Sequence, residues 1–152
     1  MDIYAKLKEM GLELPTLPQP KNIYKPVKQV GNVLYVSGQT PTENGTPVVC
    51  GQVGAERTVE EGQKAARICA INALSHLNNY LGDLNRIKSL VKTMGFIASA
   101  PGFNELPAVM NGASALFRDL LGEDAGVGAR SAVGVSSLPG NVSVKIEFIF
   151  EI

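Results

Sequence analysis

The sequence predicts an α+β fold: a mixed β-sheet with two main helices packed on one of its faces. Three observations carry this reading. Strand-like and helix-like segments are interleaved along a chain of 152 residues, long enough to bury one core. Two long segments repeat apolar residues at three- and four-residue steps, whereas the C-terminal segment from Val142 alternates every second residue. Two helices can cover only one face of the sheet that this alternation implies, leaving the other for water or another subunit.

Each element follows from local signals. Asp2 to Met10 reads as a short amphipathic helix with Ile3, Leu7 and Met10 on one face, stopped by Gly11. The Pro-rich stretch LELPTLPQP (12–20) then runs as an extended arm. Residues 1–21 are therefore read as an N-terminal helix and arm, and 22–152 as the main domain. Val27–Gln29 and Val33–Ser37 flank the two-residue turn signal Gly31-Asn32, which predicts a β-hairpin. Asn44-Gly45 marks another turn before a short strand at Thr46–Val49.

Thr58 followed by Glu61 has capping-box spacing. From there Gly62, Ala66, Cys69, Ala73, Leu77 and Tyr80 line one helical face, and Gly82 ends the helix. Small residues early in that stripe permit close packing on a sheet. Arg86 to Ala98 is expected as a long strand, broken by Pro101-Gly102. A second helix runs from Asn104 to Leu121, capped by Asn104 and ended by Gly122, with Leu106, Met110, Ala113, Phe117 and Leu120 along one side. Asp124–Gly128 is a loop of mostly small residues, Ser131–Val135 a strand, and Leu138–Asn141 a turn. In the last strand, Val142 to Ile152, Val142, Val144, Ile146, Phe148 and Phe150 suit the helices. The other face is polar apart from Ile149.

Composition narrows the chemistry. Lys+Arg 14 equals Asp+Glu 14, so the net charge is zero and no basic nucleic-acid footprint is expected. His76 is the one histidine, and Cys50 and Cys69 have no CxxC spacing. A typical zinc site needs three or four His, Cys or carboxylate ligands, and with these few His and Cys no metal is expected. A Ser-His or Cys-His catalytic unit would have to use His76, which reads instead as a partly exposed helix residue. Cys69 reads as a packing residue and Cys50 as a loop thiol. No apolar run approaches the roughly 20 residues of a membrane-spanning helix. The N-terminal MDIYAKLKEMGLELP is charged rather than secretory, so a reducing, cytoplasmic setting away from membranes is expected.

Two clusters offer chemistry. Arg130 stands alone among Gly, Ala, Val and Ser in GVGARSAVGVSS (126–137). Its planar fork matches a carboxylate through two parallel charge-assisted bonds, although an ordinary ion pair with a nearby Glu is the plainer reading. In VLYVSGQTP (33–41), Ser37-Gly38 ends a strand, and Gly38 lets main-chain groups approach a ligand. A strand simply ending at a turn is the plainer alternative.

These residues carry a resemblance. GNVLYVSGQTP (31–41) and ARSAVGVSSLPGNVSVKIEFIFEI (129–152), in this order and with these helices between, resemble the YjgF/RidA family, the reactive enamine/imine deaminases also known as L-PSP endoribonuclease-like proteins. The resemblance covers about residues 22–152. It implies a chorismate-mutase-like fold assembled as a homotrimer, with three sheets forming a central barrel, helices outside and ligand clefts between subunits. It implies that Arg130 holds a substrate carboxylate. Tyr24, thirteen residues before Ser37, matches the pocket tyrosine, and Ser37 its serine. Gly38 matches the glycine whose backbone meets the ligand, Asn111 an asparagine near the cleft, and Glu147 lies in the shared strand ending. Arg130, Tyr24 and Ser37 would thus serve catalysis, with Gly38, Asn111, Ala132, Lys145 and Glu147 in binding.

Two positions depart from the family pattern. Ala132 stands where archetypal deaminases carry a Cys that contributes mainly through its backbone. Lys145 aligns with a glutamate that helps to place water, so the charge is reversed. Together with the extension 1–21, these departures mark a divergent branch. The implied activity is hydrolysis of a 2-imino acid to a 2-keto acid and ammonia, without metal or organic cofactor. A second reading, favoured by Lys145, is a trimer that binds a small carboxylate metabolite without turning it over. RNA cleavage is a third, opposed by zero net charge and the lack of paired histidines.

Overall fold

The computed structural model describes residues 2–152; Met1, where the amphipathic N-terminal stretch begins, lies outside them. The chain runs α1 (Ile3–Glu9), β1 (Val27–Val30), β2 (Val33–Gln39), β3 (Thr42–Glu43), β4 (Thr46–Pro47), α2 (Val59–Leu81), β5 (Ser89–Ala98), α3 (Leu106–Gly126), β6 (Ala129–Val135) and β7 (Val144–Glu151). Five strands form one sheet in the order β1-β2-β7-β5-β6, and β3-β4 is a separate small ribbon. The β5–β6 pair is parallel and the other three pairs of the large sheet are antiparallel. This is the mixed sheet that the sequence predicts.

Helices α2 and α3 cover one face. The capping box at the start of α2 is formed: Thr58 Oγ1 accepts from the Glu61 amide at 3.1 Å, and Glu61 Oε1 accepts from the Thr58 amide at 3.2 Å. Ala65, Ala66, Cys69, Ala70 and Ala73 are fully buried, so this helix packs through small side chains. At Gly112 a β-carbon would lie 2.0 Å from the Gln63 carbonyl oxygen, so α3 meets the main chain of α2 where only hydrogen fits. On β7, Val144, Ile146, Phe148 and Phe150 are buried, alternating with Lys145, Glu147, Ile149 and Glu151. Phe117 of α3 meets Phe148 and Phe150 edge-on, at centroid distances of 5.2 and 5.4 Å.

The N-terminal helix is fastened to this body. Ile3 and Leu7 are buried, and the Ile3 amide donates to Asn85 Oδ1 at 2.8 Å. The Tyr4 hydroxyl donates to Asn78 Oδ1 and accepts from the Leu84 amide. Residues 12–20 cross the surface without regular structure.

Several boundaries differ from the sequence reading. The long strand begins at Ser89 rather than Arg86, because Asp83 caps a 3₁₀ turn at Leu84–Arg86 by accepting from the Asn85 amide at 2.9 Å. Asn104 does not cap α3; the helix starts at Leu106 after Glu105, which makes no side-chain cap, with Pro107 in its first turn. Gly122 breaks the helix at φ 87° but does not end it, since helical structure resumes to Gly126, inside the expected loop. β4 stops at Pro47 rather than Val49, and β7 starts at Val144 after a 3₁₀ turn at Pro139–Asn141. β6 begins at Ala129, so Arg130 lies within the strand. Among the described residues no helix is long and apolar enough to cross a membrane.

Candidate functional site

Arg130 sits on β6, the edge strand. Its register partner on β5 is Thr93, which is buried, so Arg130 shares the helix-covered side of the sheet. There it reaches α3: Nη1 donates to Asn111 Oδ1 at 2.8 Å and to Ser114 Oγ at 3.1 Å. Among the described residues no carboxylate lies within 4.0 Å of this guanidinium. The ordinary ion pair is therefore not what the fold builds. Two neutral acceptors orient the fork without cancelling its charge, and Nη2 and Nε keep their protons for a ligand.

Arg130, Asn111 and Ser114 line a cleft of about 410 Å³ together with Leu90, Arg118 and Glu123. Arg118 is spoken for. Asp119 lies at 2.9 Å and Glu123 at 4.0 Å, and the hydrogen bond that Arg118 donates to Asp119 raises its already high pKa. Ser114, which the sequence reading does not single out, carries a detectable signal: it follows Asn111 by three positions, and so shares its helical face.

The other expected residues gather across the sheet. Tyr24 lies just before β1 and is 53% exposed. The Ser37 hydroxyl donates to the Lys25 carbonyl at 2.6 Å, and the Ser37 amide donates to the Pro26 carbonyl at 2.9 Å. These bonds clip the segment carrying Tyr24 to β2. Tyr24, Gly38, Thr40 and His76 then line a hollow of about 290 Å³ beneath the Pro-rich arm. Its wall is held by the buried Asn72, whose Nδ2 donates to the carbonyls of Thr40 and Thr42 at 3.0 and 3.1 Å. Burial lowers the pKa of His76, so at neutral pH it brings no charge to this hollow. The contribution of His76 and the arm to this wall is not visible in the sequence pattern.

Between Val36 and Gln39 the β2–β7 register shifts, so Ser37 and Gly38 have no register partners on β7. A β-carbon on Gly38 would lie 2.5 Å from Lys145 Cε and 3.2 Å from Cγ. The lysine stem therefore lies along the bare face of the glycine. Glu147 is two residues further along β7, on the same open face and exposed. Ala132 sits on β6 on the same side as Arg130, half-buried and in register with Gly95.

The structure thus brings Arg130 together with Asn111, and Tyr24 together with Gly38, while Ser37 ties the segment before β1 and Lys145 lies over Gly38. It does not bring the two groups together. Strands β7 and β5 stand between β2 and β6, which at ordinary strand spacing is roughly 14 Å. Cys69 is buried and its thiol pushed far up by desolvation, as suits a packing residue, and Cys50 is half-exposed. Among the described residues no three His, Cys, Asp or Glu side chains converge as a metal site would require.

The family model described as "YjgF/chorismate mutase-like, putative endoribonuclease" matches residues 4–151. The chain belongs to the YjgF/RidA family. The match takes in the N-terminal helix and arm, and the α+β sheet described above has the chorismate-mutase-like fold of this family. The chain is 41% identical over 150 residues to Protein TCP17 of Trypanosoma cruzi, covering 99% of this chain and 94% of the relative. The solved structure of the protein Atu1372 from Agrobacterium tumefaciens, of unknown function, is 46% identical with a TM-score of 0.89, covering 99% of this chain and 91% of that one. A 2-iminobutanoate/2-iminopropanoate deaminase of Dermatophagoides farinae is 30% identical over 139 residues, covering 91% of this YjgF/RidA chain and 92% of the relative.

Proposed function

We propose that the protein is an imine deaminase that hydrolyses 2-imino acids to 2-keto acids and ammonia in a cleft between subunits of a homotrimer. The observation that carries this reading is the Arg130 guanidinium, oriented by Asn111 and Ser114 and unmatched by any carboxylate among the described residues. A cation arranged in this way suits a carboxylate ligand. The deaminase relative from Dermatophagoides farinae supports the reaction class.

In this reading Nη2 and Nε of Arg130 take the substrate carboxylate, which fixes the adjacent C=N carbon for attack. Water adds to that carbon and gives one proton to nitrogen; the second proton then passes from the new hydroxyl to nitrogen as the C=O bond forms, the C–N bond breaks with its electron pair on nitrogen, and ammonia departs. Main-chain groups at Gly38 and Ala132 face the developing charge. The Tyr24 hydroxyl places the water. Ser37 and Glu147 act at one remove, Ser37 by tying Lys25 and hence Tyr24 to β2.

The trimer follows from the need to unite the two groups. The uncovered sheet face also carries Tyr35, 48% exposed, with Ile149, Met94, Phe96 and Val133. Such a face suits a neighbouring copy. Two unpaired cysteines suit a reducing compartment such as the cytoplasm.

The second reading, a trimer that binds small carboxylates without turnover, draws on Lys145. Its cation stands beside Gly38, where a base would help to activate water. Ammonia release from freshly generated 2-iminobutanoate and 2-iminopropanoate separates the two. Turnover that falls about 100-fold or more in Arg130→Ala supports the deaminase. No turnover, with 2-oxobutanoate binding that depends on Arg130, supports the binder. RNA cleavage is disfavoured by the net charge of zero.

A further inference from the structure

We infer that Lys145 is a second anion anchor, so that the cleft selects 2-keto or 2-imino acids bearing an additional acidic group. This rests on the reading of Arg130 as the clamp for the first carboxylate.

Three features of the chain carry the inference. Gly38 has no side chain, and Lys145 uses the space: Cγ, Cδ and Cε would all lie within 3.3 Å of a β-carbon placed there. The stem is thus held along the glycine, and less rotamer freedom remains to be lost on binding than for a lysine extended into water. The ammonium is unmatched. Among the described residues no carboxylate lies within 4.0 Å of it, although Glu147 shares its face. Finally, Lys145 is already half-buried in the single chain. Covering the open face with another copy would desolvate the ammonium further, at a cost that only an anion offsets.

That anion is either the neighbouring copy's own acid or the ligand. Position favours the ligand. Lys145 touches the glycine whose main chain lines the hollow with Tyr24, the half that the proposed trimer sets against a neighbouring copy's Arg130. A monocarboxylic 2-keto acid has nothing to offer this cation. A diacid places its second carboxylate there and satisfies both charges.

The test compares two probes with the same five-carbon chain, 2-oxopentanoate and 2-oxoglutarate, by calorimetry on the intact protein. The wild type is expected to bind 2-oxoglutarate about tenfold or more tightly than 2-oxopentanoate. Lys145→Met keeps the stem and removes the charge, and should abolish that preference by weakening 2-oxoglutarate far more than 2-oxopentanoate. Arg130→Ala should lose both ligands. Equal wild-type affinity for the two acids, or a preference that survives in Lys145→Met, overturns the second anchor while leaving the Arg130 clamp standing. A Lys145→Met protein that loses trimer stability but keeps the preference assigns the lysine to the subunit interface instead. Failure of the wild type to bind either acid overturns the clamp, and the second anchor with it.

Discussion

At the β6 edge, Arg130 is fixed by two neutral acceptors on one turn of α3, and its charge stays available. On the β2 side, Ser37 Oγ donates a hydrogen bond to the Lys25 carbonyl, and Lys145 lies over Gly38. The first region offers an uncancelled charge on the wall of an open cleft. The second offers a hydroxyl, main-chain groups and a hollow, with a cation over its Gly38. Each half is made rigid by the same core, and neither alone resembles a complete site. In the proposed trimer, each chain folds both halves on its own and their union is left to assembly.

The comparison can be broken most severely at the shared core. Phe117→Ala removes the ring packed against Phe148 and Phe150 behind both halves, and should cost about 3–5 kcal/mol in denaturant unfolding. A loss below about 1 kcal/mol would mean that the sheet and α3 are not one scaffold. Arg130→Lys tests the first half alone. Charge is kept but the fork is lost, so 2-oxobutanoate should bind about tenfold more weakly at unchanged melting temperature. Asn111→Ala leaves the charge and the fork but loosens its aim, and a severalfold loss of affinity is expected, smaller than that of Arg130→Lys. An equal or larger loss would make Asn111 a direct ligand contact.

Ser37→Ala probes the second half. It removes the bond to the Lys25 carbonyl and should cost about 1 kcal/mol of stability. The smallest effect concerns His76. Burial lowers its pKa from 6.5, so below that pH the unfolded chain binds more protons than the folded one. Stability from this group is fully present above pH 6.5 and declines as the pH falls toward the folded value. His76→Gln should flatten that part of the melting temperature profile against pH, and an unchanged slope would place its cause elsewhere.

Much of this was legible in the residues. The capping box at Thr58 and Glu61, the small stripe of α2 and the alternation of β7 each encode a local rule that packing reinforces. Arg130 was legible because a lone cation among small residues is unusual. Its freedom from an ion pair was not, because that depends on which acids the fold brings near, and Arg118 takes Asp119 and Glu123 instead. The register shift that leaves Ser37 and Gly38 unpaired, and the lysine laid over Gly38, arise from strands over a hundred residues apart in sequence. The misplaced ends of β5 and α3 have a simpler origin: Asp83 offered a cap that competed with the strand, and Gly122 kinked a helix it was expected to end.

The union of the two halves is tested most directly by mixing disabled subunits. Arg130→Ala removes the clamp, and Gly38→Trp fills the other half with a side chain that must displace Lys145. Each protein alone should be inactive toward 2-iminobutanoate and unable to bind 2-oxobutanoate. Unfolded together and refolded at equal concentration, they should recover about a quarter of the wild-type sites, since in a cyclic trimer each site pairs unlike surfaces of neighbouring copies and one pairing in four is intact. Recovery near that fraction is the expected result. Mixed assemblies that form, by mass or light scattering, yet regain no binding and no turnover would contradict a site shared between subunits.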